Sequence, residues 1–146
     1  GGTTVGLAAR DTLRLEAAMP LYGHELSESI SGSQAGLGFA MNLQDRSFPG
    51  RDALLQQKKD KTLPRRVGLI CTGKRVPREG YAIASGSERV GKVTSGTFSP
   101  TLEKPIAMGY VAASAAVVGN DLMIDLRGRM EPARIVPLPF YRRSVT

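Results

Sequence analysis

Residues 121–127 read "DLMIDLR". Leu122, Ile124 and Leu126 share one face of this stretch, opposite Met123, Asp125 and Arg127. A period of two is the mark of an extended strand with one side in a core. Working outward, five more short apolar runs stand between turn residues. They are "VGLICT" at 67–72, "YAIAS" at 81–85, "RVGKVTSGTFS" at 89–99, "IAMGYVA" at 106–112 and "ARIVPL" at 133–138. The separators are Gly73, Pro77, Gly80, Gly86, Pro100, Pro105, Gly119, Asn120 and Gly128. Six strand candidates with turns between them predict an antiparallel sandwich or barrel. Aromatics are only 5% of the chain and Trp is absent, so the core must be aliphatic.

The N-terminal part has another texture. Residues 6–26 read "GLAARDTLRLEAAMPLYGHEL", and the composition of 7–19 predicts a helix. Thr3 or Thr4 is the expected cap, and Pro20 with Gly23 the expected stop. At 100° per residue apolar side chains fall on nearly every side, which predicts a buried helix. Asp11 can pair with Arg14 at i,i+3. That leaves Arg10 short of a partner, and a buried guanidinium needs an acid elsewhere in the fold or a ligand. Residues 31–50 carry turn signals around 37–43, a candidate strand. Residues 51–61, "RDALLQQKKDK", read as a second short helix stopped by Pro64, with a basic end that suits the negative pole of the helix dipole. No repeat or low-complexity segment occurs.

The 146 residues are enough for one domain, or one small domain plus part of another, able to bury roughly two-thirds of its unfolded surface. No run of 18 apolar residues predicts a membrane span, and no signal peptide is visible. A net charge of +7 suits an acidic partner. The basic clusters at 58–61, 65–66 and 142–143 lack interleaved aromatics, so they read as solvated surface rather than a nucleic-acid site. The single Cys, Cys71, excludes an internal disulfide and reads as a small core residue. His24 reads as a loop residue. Glu25 and Glu28 beside it lack the spacing of a metal site, so none is expected. Ser95 has no second imidazole to serve it and reads as a turn or strand-end residue. No P-loop, dinucleotide fingerprint or nucleophile elbow is present, and no catalytic constellation emerges from the residues themselves.

The segment at 6–26 strongly resembles the helix and loop of the glycine cleavage system T-protein family, the aminomethyltransferases. "FPGRDAL" at 48–54, "GKVTSGTFSPTLEKPIAMGYV" at 91–111 and "LPFYRR" at 138–143 match in the same order. The resemblance implies an α+β, β-rich chain: a six-stranded antiparallel, Greek-key-like β-barrel at 67–146, a linker with a short helix at 47–66, and at 1–46 a helical end-piece of a central folate-binding domain. Intact members are three-domain clover-leaves around tetrahydrofolate. They take the aminomethyl group from the lipoyl arm of H-protein, release ammonia and form methylene-tetrahydrofolate. The family's catalytic aspartate and pterin-reading glutamate lie upstream of the matching region, so this chain is expected to be a C-terminal portion. It would lack catalytic residues and be inactive alone. With its missing N-terminal half absent, it would be prone to self-association. By the same resemblance Arg10 is the arginine that meets the glutamyl carboxylate of folate. Met19 stands where some members place a folate-contacting tyrosine, and Tyr141 lies near a C-terminal tyrosine used by others. The "TSGTFSPTL" segment would be architectural, with Gly96 and Pro100 shaping a bend. Two other modules are similar: the C-terminal part of flavin-dependent dimethylglycine- or sarcosine-type demethylating enzymes, and non-catalytic folate-binding proteins of iron–sulfur assembly, whose "GCYxGQE" motif is absent here. Family members are cytoplasmic in bacteria and in the mitochondrial matrix in eukaryotes. The expected compartment follows the source.

Overall fold

A computed structural model describes residues 1–143. Its strands are β1 (Arg65–Cys71), β2 (Ala82–Ser85), β3 (Glu88–Ser99), β4 (Lys104–Val111), β5 (Asp121–Asp125) and β6 (Met130–Val136). They coincide with the six stretches expected, with ends shifted by a few residues. All pairings are antiparallel, and the sheet closes in the order β1-β4-β3-β2-β5-β6. The meander β2-β3-β4 is followed by β1 beside β4, which is the Greek-key connection. Closure decides between barrel and sandwich, and it gives each strand a hydrogen-bonded neighbour on both sides. Leu122, Ile124 and Leu126 point into the barrel with Leu69, Cys71, Ile83, Val93, Ala107 and Ile135. Gly96 is required by close approach: a Cβ there would collide with the Pro77 carbonyl oxygen.

β4 is buried at every position from Pro105 to Val111. One of its faces fills the barrel, and the other lies under helix α1 (Leu7–Glu16). This two-sided burial explains why "IAMGYV" reads as a continuous apolar run. Beneath α1, Leu15 and Ala18 pack on Ile106 and Met108, with Ile70, Leu102, Leu138 and Phe140 around them.

Four local expectations need correction. The helix ends at Glu16, before Pro20, because Ala18 turns into the left-handed region (φ 54°) and reverses the chain. Its N-cap is Gly6, which offers no side-chain cap, rather than Thr3 or Thr4. The helix is not buried all round: Leu7 and Leu13 are exposed, since the barrel covers only one side of it. Finally, 37–43 is no strand but contains a single 3-10 turn at Gly38–Ala40. The closed barrel offers that segment no edge to pair with. The second helix, α2 (Arg51–Lys59), has Asp52 in its first turn and Lys58 and Lys59 in its last, as the dipole favours.

Candidate functional site

A buried polar seam joins α1 to the barrel. The expected Asp11–Arg14 pair forms, with Arg14 Nε donating to Asp11 Oδ1 at 2.7 Å. Arg14 also donates from Nη1 to Glu25 Oε2 at 2.7 Å, from Nη2 to Ser95 Oγ at 2.9 Å, and from Nη1 to the Met19 carbonyl at 3.4 Å. The buried guanidinium is therefore Arg14's, and its counter-ion is an acid within the chain. Glu25 is fully buried. Its Oε1 accepts from Thr94 Oγ1 and Ser95 Oγ, both at 2.6 Å, and its Oε2 accepts the Leu21 N–H at 3.1 Å. Two neighbouring strand residues normally face opposite sides of a sheet. Here the β3–β4 register shifts between Val93 and Ser95, a bulge that turns both hydroxyls toward one carboxylate. Ser95 is thus an interior member of this seam, not a turn or strand-end residue.

Burial pushes the Glu25 carboxyl up, but the bonds from Ser95, Thr94 and Leu21 and the Arg14 charge outweigh it and hold the group below its ordinary value. With every oxygen engaged, Glu25 is not placed to bind a metal. Among the described residues no three potential metal ligands converge. Glu16 repeats the pattern. Burial again opposes ionisation, and bonds from Ser99 and Thr101 overcome it. Thr12 and Thr97 hydroxyls meet at 3.0 Å, and the Tyr110 hydroxyl donates to the Glu25 carbonyl at 2.9 Å. Arg66 is no solvated surface cation: it donates to the Ala18 carbonyl at 2.7 Å and is half-buried.

The open side of α1 is different. Arg10 is exposed and, among the described residues, makes no ion pair or side-chain hydrogen bond. That Arg10 lacks a partner matches the expectation; that it is buried does not, because the barrel covers the Leu15–Glu16 side of the helix and leaves Arg10 in solvent. Arg10 and Met19, the two positions singled out from the sequence, line one concavity of about 590 Å³ with Val5, Leu13, Ala17 and Leu21. Apolar walls with a free guanidinium suit an amphipathic anion: a flat apolar body with a carboxylate that the planar fork can grip. Tyr141 is not in the lining. Its backbone N–H donates to the Glu16 carbonyl at 3.0 Å.

The remaining candidates lie apart. Cys71 is in the barrel core, its thiol pushed up to about 12 by burial and then by the nearby Glu131. It is a core residue, as expected. His24 Nδ1 lies 3.1 Å from Glu79 Oε2 without making a hydrogen bond. Glu28 is exposed. A second concavity of about 530 Å³, between 33–43, the end of α2 and the start of β1, holds neither Arg10 nor Met19. Sequence reading missed the seam because Glu25 stands 69 and 70 positions from Thr94 and Ser95. No local spacing signals such a contact.

Residues 65–142 match the family model described as the glycine cleavage T-protein C-terminal barrel domain. An aminomethyltransferase of Symbiobacterium thermophilum is 50% identical over 138 residues, 94% of this chain and 37% of the relative. One of Streptomyces avermitilis is 52% identical over 144 residues, 95% of this chain and 39% of the relative. The crystal structure of the glycine cleavage system aminomethyltransferase T from Bartonella henselae superposes with a TM-score of 0.86 at 35% identity, covering 94% of this chain and 39% of that one. The chain thus spans about two-fifths of the length of these relatives.

Proposed function

Because the chain belongs to the glycine cleavage T-protein C-terminal barrel family, we propose that it serves as the C-terminal portion of an aminomethyltransferase. In this reading residues 1–46 complete a central folate-binding domain and 47–66 link it to the barrel. The whole enzyme accepts the aminomethyl group carried on the lipoyl arm of H-protein. It passes the one-carbon unit to tetrahydrofolate and releases ammonia. The chemistry belongs to residues upstream of this chain, so the portion described holds the co-substrate rather than reacting with it.

The observation that supports this reading is the shared concavity of Arg10 and Met19. A pteridine–benzoyl body is flat and largely apolar, and its tail ends in carboxylates. Arg10 offers its fork to that tail without first breaking an ion pair, while Met19 and Leu13 supply apolar contact. The test is calorimetric titration of tetrahydrofolate into the full-length protein, wild type beside Arg10→Ala. Loss of a charged hydrogen bond should weaken binding by about 1.5–3 kcal/mol with the fold intact. Equal affinity in the two proteins would remove Arg10 from the folate site.

A further inference from the structure

Glu25 stands between the barrel and the wall of the concavity. On one side, Oε1 takes the two hydroxyls of the β3 bulge at 2.6 Å each, and the Tyr110 hydroxyl holds its backbone carbonyl at 2.9 Å. On the other side, Oε2 takes the Leu21 N–H at 3.1 Å and Arg14 Nη1 at 2.7 Å, and that same Nη1 reaches the Met19 carbonyl at 3.4 Å. The backbone of 19 and 21, which forms one wall, is therefore tied through a single carboxylate to a rigid strand. Two arginines line the concavity, and they differ in charge balance. Arg14 faces both Asp11 and Glu25, with its side chain only 9% exposed. Arg10, one turn away, faces neither. A buried pair of this kind is screened little by salt, so the arrangement persists at physiological ionic strength.

We infer that Glu25 is a positioning residue for the concavity: it fixes the wall formed by Met19 and Leu21, and it neutralises Arg14 so that Arg10 alone meets the ligand anion. The inference rests on the folate-tail reading of that concavity. Glu16 supplies the contrast. It anchors the same helix to the barrel through Ser99 and Thr101 but bonds neither the wall nor Arg14.

The experiment is steady-state kinetics of the full-length enzyme with tetrahydrofolate varied, comparing wild type, Glu25→Gln, Ser95→Ala and Glu16→Gln. Gln keeps the shape of Glu25 and removes its charge. Ser95→Ala takes one donor from Glu25 and one acceptor from Arg14. Both should raise KM roughly two- to thirtyfold, the range for coupling through an intermediate residue, with kcat little changed. Glu16→Gln should lower Tm and leave KM alone. If KM is unchanged in Glu25→Gln and Ser95→Ala, or rises equally in all three variants, Glu25 is only a structural anchor. Should Glu25→Gln fail to fold, Ser95→Ala decides by itself. The functional reading is judged separately, on wild type: turnover that does not depend on tetrahydrofolate overturns that reading and the inference with it.

Discussion

Glu25 and Glu16 give the seam a definite pH dependence. Both carboxyls ionise below their ordinary value of 4.5, despite burial, because hydroxyls and backbone N–H groups stabilise the charged form. The unfolded chain therefore takes up protons first as pH falls. The stability these groups contribute is fully present above pH 4.5 and is lost as pH drops through their lowered native values. Denaturant melts between about pH 6 and about pH 3 should show a steep loss at the acid end. Glu25→Gln should flatten that slope. An unchanged slope would mean that folding does not lower the pKa of Glu25. At this scale the sequence disclosed the Asp11–Arg14 pair, which is local, but not which arginine would be buried. That choice is made by Glu25, Thr94 and Ser95, whose meeting depends on the whole fold.

Helix α1 is held by one side only, and its leucines divide accordingly. Leu15 is fully buried between helix and barrel, whereas Leu13 is 65% exposed. Leu15→Ala should destabilise the protein by about 2–5 kcal/mol, as deletion of a buried leucine does. Leu13→Ala should stay within about 0.5 kcal/mol of wild type. Paired chemical melts check both, and similar losses would mean that the helix is buried on both sides. The strands were legible because each combined apolar periodicity with a flanking turn residue, most clearly at 121–127. The end of α1 was not, because a left-handed Ala18 leaves no trace in composition. The 37–43 stretch alternates apolar and small residues as a strand would, yet sequence pattern cannot say whether an edge is available to it.

The whole molecule pairs a closed barrel with a helix whose outer face is apolar. Val5, Leu13 and Met19 cluster there, so association should run through the helix rather than through strand addition. Sedimentation velocity of the isolated 146-residue chain should show concentration-dependent association, and Leu13→Lys should suppress it. A chain that stays monomeric at all concentrations would show that this face is stable in water. The barrel's closure also has a mechanical corollary. β1 is clamped between β4 and β6, so tension applied through residues before Arg65 loads two backbone ladders in shear. Helix α1, by contrast, is moored mainly by side chains. Under a steady pull the helix is therefore expected to peel away before the barrel opens, with the seam at Glu25 as the link that yields, an order that single-molecule force spectroscopy would read.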